Sequence, residues 1–305
     1  MTRLPNRLVE CVPNFSEGRR QQVIDQIAAA IRSVPHVWIL DVESDPDHNR
    51  SVITCVGEPD AAAEAMFRAI AEAAKLIDLN KHRGEHPRIG ATDVVPFVPL
   101  RGVTMQEAVE LAQRLGRRVG GELEIPVYLY EAAATRPERE NLANIRRGEY
   151  EGLKEAIKQD PNRAPDFGPS ELGPAGATVI GAREFLIAFN VYLNTNDVKV
   201  AKRIARAVRH SSGGLRYVKA LGMLVGGQAQ VSMNLTNFKK TPIFRVVELI
   251  RREAARYGCL ITHTELIGLT PMQAMLDTAR WYLQLDGFNE GQVLERRLEE
   301  ILAQE

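Results

Sequence analysis

The apolar pattern of this chain spells the same order of elements twice, and that repetition restricts the fold more than any other property of the sequence. In the first half, Arg7 to Val12 is strand-like, Gln21 to Ile31 has helical spacing, and Val37 to Val42 and Ser51 to Val56 are rich in β-branched residues. An alanine-rich helix over Asp60 to Ile77 and a strand over Asp93 to Val98 complete the order β-α-β-β-α-β. The second half repeats it with strand Phe185 to Leu193, helix Val198 to His210, strands Val218 to Val225 and Ala229 to Leu235, helix Pro242 to Tyr257 and strand Cys259 to Leu266. Two split β-α-β units in tandem predict an α+β protein. Each would be a ferredoxin-like subdomain with a mixed or antiparallel sheet and helices packed on it.

Local punctuation fits this order. Pro242 falls in the first turn of its helix after Thr241 as N-cap, and Gly258 stands just past the end. Gly226-Gly227 between two apolar runs predicts a tight hairpin turn, because glycine supplies the positive φ such turns demand. The first half also carries an extra helix, Thr104 to Gly120, opened by a T-M-Q-E capping box, and an extra strand, Pro126 to Tyr130. Asn162 to Ala177 is rich in proline and glycine and reads as a linker or binding loop. The boundary is expected near residue 182, dividing 1–182 from 183–305, with a terminal docking helix over Gly291 to Gln304.

Charge narrows the partners. Lys+Arg and Asp+Glu balance at 39 each, so no global field attracts nucleic acid or an anionic membrane, and neither is expected as a partner. The basic strip Lys199 to Arg216 reads as a solvated helix face, since an RNA-recognition sheet would need exposed aromatics on its central strands. Cys11, Cys55 and Cys259 lie in apolar runs and read as buried reduced thiols. The opening MTRLPNRLVECVPNF has no apolar stretch of about 7 to 15 residues, and nowhere do roughly 20 apolar residues run together, so the cytoplasm is expected.

Chemistry concentrates in three places. Lys81 to Pro99, KHRGEHPRIGATDVVPFVP, places two histidines and several charges before the apolar run Val94 to Val98, at the mouth of a sheet. His82 and His86 fit the H-x-x-E-H spacing of inverted zinc peptidases, but that chemistry needs a helix. Gly84 costs ~1 kcal/mol inside a helix and Pro87 disfavours helical backbone at His86, so no metal is expected. Without a metal, a histidine among Glu85, Arg83 and Arg88 reads either as an acid/base or as a turn residue held by backbone. The second place is Glu43-Ser-Asp-Pro-Asp-His-Asn-Arg50, an eight-residue hairpin connection crowded with ionisable groups. If it faces the Lys81 segment, Arg50 is placed to hold a substrate carboxylate and Glu43 to orient a histidine. The third, Pro165 to Ala177, has glycines that permit close ligand approach but no P-loop or Rossmann spacing.

Several long motifs occur in order along nearly the whole chain: LVECVPNFSEG, KHRGEHPRIGATDVVPFVP, VYLYEAA, IRRGEYEGL, APDFGP, GAREFLIAFN and AQVSMNL. In these the chain resembles the folate-dependent formiminotransferases of histidine degradation, in the single-activity form without a cyclodeaminase domain. The resemblance implies a two-subdomain α/β fold, a homodimer, and transfer of a formimidoyl group from N-formimidoylglutamate to N5 of tetrahydrofolate as co-substrate. It places the catalytic histidine of the GEHPR motif on His86 and the flanking acid and arginine on Glu43 and Arg50, with glutamate where better-known members carry aspartate. The family's folate-binding loop falls on Gly168, Pro169, Ser170, Glu171, Leu172, Gly173, Pro174, Ala175 and Gly176, about one residue shorter here. His82 and Asp93 are expected to shape the pocket, and Lys81, Arg83 and Arg88 to steer the anionic, often polyglutamylated, folate tail. Two other readings remain at this level: a related transferase using formimidoylglycine or formylglutamate, and a noncatalytic folate- or RNA-binding ferredoxin-like protein.

Overall fold

The computed structural model describes residues 5–302, and the chain divides into two compact units, Met1–Glu184 and Phe185–Glu305. The first unit runs β1 (Leu8–Cys11), β2 (Asn14–Phe15), α1 (Gln21–Arg32), β3 (Val37–Asp45), β4 (Arg50–Gly57), α2 (Pro59–Leu76), β5 (Thr92–Arg101), α3 (Met105–Glu122), β6 (Val127–Glu131), α4 (Leu142–Ile145), α5 (Glu149–Gln159) and β7 (Thr178–Ala182). The short strands β1 and β2 both lie antiparallel between β4 and β5, so they form one strand interrupted at Val12-Pro13. Proline donates no backbone hydrogen bond, and the ladder breaks beside it.

The spatial order β3-β4-β1-β5 is that of a ferredoxin-like sheet, and β7 and then β6 extend it beyond β5 by parallel pairing. Strand β7 lies in the interior of the sheet, yet it is a five-residue run directly after the proline- and glycine-rich loop, and the periodicity reading passes over it. The apolar faces of α1, α2 and α3 pack with the sheet into one core that includes Ile27, Met66, Phe97, Leu115 and Val179. The capping box at α3 is present: Thr104 accepts from the Glu107 N–H, and Glu107 accepts from the Thr104 N–H.

The second unit runs β8 (Ile187–Leu193), α6 (Val198–Val208), β9 (Val218–Val225), β10 (Gln228–Leu235), α7 (Ile243–Ala255), β11 (Ile261–Ile267), α8 (Met272–Leu283) and α9 (Leu294–Leu302). Its sheet order β11-β8-β10-β9 is fully antiparallel, and β8 alternates buried and half-buried residues, as expected of a sheet with helices on one face. Gly226 and Gly227 both have positive φ in the β9–β10 turn. Two local expectations change. Pro242 rather than Thr241 is the N-cap of α7, because the Thr241 hydroxyl donates instead to the Arg216 carbonyl at 2.6 Å. Helix α8 lies where the periodicity reading assigns no element, and the terminal helix begins at Leu294 rather than Gly291; residues 303 and 304 of the expected helix, like the first four residues of the chain, lie outside the described residues. Among the described residues no helix is long and apolar enough to cross a membrane. All three cysteines are free and buried.

Candidate active site

The hairpin and the Lys81 segment do face one another. Strand β3 continues through Glu43 to Asp45, which pairs with Arg50, so the connection is a four-residue turn rather than the expected eight. Asn49 within it has φ +48, a left-handed conformation that asparagine tolerates better than most residues. Its side chain accepts from the Gly18 N–H at 2.9 Å and donates to the Arg83 carbonyl at 2.9 Å, while its own carbonyl accepts from His82 Nε2 at 2.9 Å. One residue thereby joins the NFSEG segment, the hairpin and the histidine loop. Gly84 seals the join, since a Cβ there would lie 2.2 Å from the His48 carbonyl oxygen. Residues 82–86 form no helix, which removes the geometry the zinc-peptidase spacing requires.

The two histidines have different circumstances. His82 is buried, and both ring nitrogens are engaged: Nε2–H donates to Asn49, so Nδ1 is the acceptor for Arg88 Nε–H at 3.2 Å. It is a neutral, structural imidazole whose basicity is lowered first by burial. His86 lines a cavity with Phe15, Ser16, His48, Arg50 and Asp93. Its ring lies edge-on to His48 with centroids 6.3 Å apart. Burial, then the guanidinium groups of Arg50 and Arg146, push its pKa down to about 2. The cavity measures about 10 Å³, room for one water, so the bulk of any substrate lies outside this ring of residues.

Arginines dominate the rest. Arg50 is packed against Asn14, to whose Oδ1 its Nη2 donates, and burial followed by the field of Arg146 lowers its pKa to about 10. Glu43 and Asp45 act on it in the opposite sense through space. Arg146, at the C-terminal end of α4, is paired with the buried Asp93, which also accepts the Ile89 N–H at 2.7 Å. Arg88 is spoken for: Glu149 and Glu151 hold it at 2.6 and 2.7 Å. Lys81 and Arg83 are exposed, with Lys81 3.5 Å from Asp78 and Arg83 donating to the His82 carbonyl at 2.7 Å.

The loop Gly168 to Gly176 docks on the segment that carries the histidines. Leu79 N–H donates to the Pro174 carbonyl and Ala91 N–H to the Ala175 carbonyl, both at 2.8 Å. Gly176 has φ +71 and approaches the Ile89 carbonyl so closely that a Cβ would sit 2.2 Å from it. Leu172 is buried, while Pro169, Ser170, Glu171, Gly173 and Pro174 stay exposed, Glu171 paired with Lys158 at 2.6 Å. The loop does not line the His86 cavity. Sequence reasoning singled out neither Asn14, Ser16, His48 and Asn49 nor Arg146 as individual site residues. The NFSEG and IRRGEYEGL motifs were the signal available for Asn14, Ser16 and Arg146.

A neutral His86 has a consequence for pH. An unfolded histidine titrates near ~6.5, so below that pH the unfolded chain binds a proton that the folded one refuses, and stability declines as pH falls. His86→Asn is expected to flatten the decline by up to about 1.4 kcal/mol per pH unit below ~6.5 in urea unfolding. An unchanged slope would show that His86 is not held neutral.

Residues 8–183 match the formiminotransferase domain, N-terminal subdomain, and residues 188–298 match the formiminotransferase domain. The chain is similar to glutamate formimidoyltransferase of Thermoplasma acidophilum, with 56% identity over 296 residues that cover 96% of this chain and 97% of that protein. Glutamate formimidoyltransferase of Streptococcus pyogenes serotype M1 is 47% identical over 296 residues, covering 96% of this chain and 99% of that one. Formimidoyltransferase-cyclodeaminase of Mus musculus is 47% identical over 286 residues, which cover 91% of this chain and 52% of the mouse protein.

Proposed function

The chain belongs to the formiminotransferase family, and from that premise we propose that it transfers the formimidoyl group of N-formimidoyl-L-glutamate to N5 of tetrahydrofolate, giving 5-formimidoyltetrahydrofolate and L-glutamate in histidine degradation. The observation that supports the residue assignment is the placement of His86 in a cavity it shares with Arg50 and Asp93.

The donor carbon belongs to an amidine, and N5 of the folate is a secondary amine. Attack forms the N5–C bond and leaves a proton on N5 that must go before the intermediate can collapse. A neutral imidazole is the form that accepts it. His86, so protonated, returns the proton to the glutamate nitrogen as the C–N bond breaks, and glutamate departs as an amine. Burial and the two arginines disfavour the imidazolium, which opposes uptake of the proton and favours its return. Arg50 holds a substrate carboxylate, and Glu43, close enough to act on Arg50, supplies negative charge for the amidinium. His82 positions the loop through Asn49 and Arg88.

The folate is assigned to the exposed part of the Gly168–Gly176 loop, whose anchoring to Leu79 and Ala91 sets it against the histidine segment. Steering of an anionic polyglutamyl tail falls to Lys81 and Arg83 rather than Arg88, whose charge is answered by two glutamates. The working form is a cytoplasmic homodimer of chains with subdomains 1–182 and 183–305; free buried thiols suit a reducing compartment. Following the 5-formimidoyl product from N-formimidoylglutamate and tetrahydrofolate tests the reaction, with N-formimidoylglycine and N-formylglutamate as competing donors. Faster turnover of either competitor at equal concentration would replace the donor, and no product from any of them would end the transferase reading.

A further inference from the structure

We propose that Arg146 and Arg50 together form the receptor for the α-carboxylate of the formimidoyl donor, on the transferase reading above, so that Arg146 is a specificity-determining residue of the site. Arg50, at the start of β4, lines the His86 cavity, and Arg146, at the end of α4, pairs with Asp93, which lines it as well. Each makes one described contact through Nη2, Arg50 to the neutral amide of Asn14 and Arg146 to Asp93. The Nε of each is buried and meets no acceptor among the described residues. A buried donor left unmatched is costly, and two of them on cationic groups that both act on His86 call for an anion with two oxygens.

Charge points the same way. Arg146 lowers the pKa of Arg50 after burial has done so, and both arginines lower that of His86 after burial, so the two positive fields overlap at one place. Asp93 pairs with Arg146, and Asp93, Glu43 and Asp45 all act on Arg50 in the opposite sense, raising its pKa. His48, His82 and Arg88 complete the ionisable groups lining the cavity.

The chemistry of the donor selects which carboxylate. Its α-carboxylate is bonded to the carbon that carries the departing nitrogen, whereas the γ-carboxylate lies two methylenes farther along. The glutamyl carboxylates of folate are separated from N5 by the aminobenzoyl ring. With the formimidoyl carbon at His86, an anion receptor adjoining that imidazole is within reach of the α-carboxylate.

The test is a substrate and enzyme cycle on the full-length chain. N-formimidoylglutamate is compared with its α-carboxamide and its γ-carboxamide, on the unmodified protein and on Arg146→Gln and Arg146→Lys. We expect the α-carboxamide to raise the donor KM about 10- to 100-fold on the unmodified protein, the worth of a charge-assisted contact, and the γ-carboxamide to raise it less. On Arg146→Gln the α-carboxylate donor and its α-carboxamide should differ by no more than about threefold, because the contact is already gone. Arg146→Lys should recover part of the loss, and the KM for tetrahydrofolate should stay within about twofold in every case. An α-carboxamide used as well as the parent donor would overturn the proposal without recourse to any variant. So would a full α-carboxamide penalty persisting in Arg146→Gln, or a loss confined to the folate KM, which would assign the receptor to the folate tail. Absence of turnover of N-formimidoylglutamate by the unmodified protein is a different result: it removes the transferase reading itself, and this inference with it.

Discussion

Replacing His86 with alanine is expected to lower kcat by roughly 10²- to 10⁴-fold while leaving both KM values within a few-fold of their starting points. The reaction moves one proton from N5 to the departing nitrogen, and His86 is the side chain assigned to that relay. Arg50 stays protonated with a pKa of about 10. His82 has both ring nitrogens committed to Asn49 and Arg88. His48 is the remaining imidazole, and its Nδ1 is 2.7 Å from Asp45. His82→Ala is the matched control: it disturbs loop packing and is expected to lose less kcat than His86→Ala. Equal losses in the two would mean that the wrong imidazole has been assigned, and an unchanged kcat in His86→Ala would remove the assignment altogether.

The second large effect is on stability. Asp93 has a side chain only 4% exposed, accepts the Ile89 N–H, and pairs with Arg146, itself 15% exposed. Asp93→Ala leaves the largely buried Arg146 without that anion and within the field of Arg50, and breaking such a pair from one side costs about 3–5 kcal/mol. Asp93→Asn keeps an acceptor for Ile89 and should cost less. The chain has two tryptophans, Trp38 on β3 and Trp281 on α8, so urea unfolding followed by fluorescence with Trp281 replaced by phenylalanine reads the first unit alone. A loss below about 1 kcal/mol would place Asp93 and Arg146 among ordinary solvated pairs.

What the sequence disclosed follows from which signals are local. Both ferredoxin-like orders were readable because each strand and helix carries its own period, as in the match of Val218–Val225 with β9 and of the Thr104 capping box with α3. Strand β7 was not, because TVIGA is too short to declare itself and its pairing with β5 and β6 is wholly non-local. Charge density pointed to the hairpin and to the histidine loop, but only the folded chain shows that Asn49 fastens them together. Arg146 and Arg88 show the limit most plainly. Nothing in IRRGEYEGL distinguishes an arginine that enters a site from a solvated one, and nothing near Arg88 announces that Glu149 and Glu151, more than sixty positions away, neutralise it.

The position of β7 bears on how the protein is made. It is the last strand of its unit to be synthesised, yet it lies between two earlier ones, and its neighbour β5 is apolar and buried along most of its length. Until Thr178–Ala182 has left the ribosome, β5 and β6 each present an open edge on the sides that β7 will later join. A nascent chain paused between β6 and β7 therefore holds the unit at its most adhesive, and the interval calls for brisk elongation or a chaperone's cover.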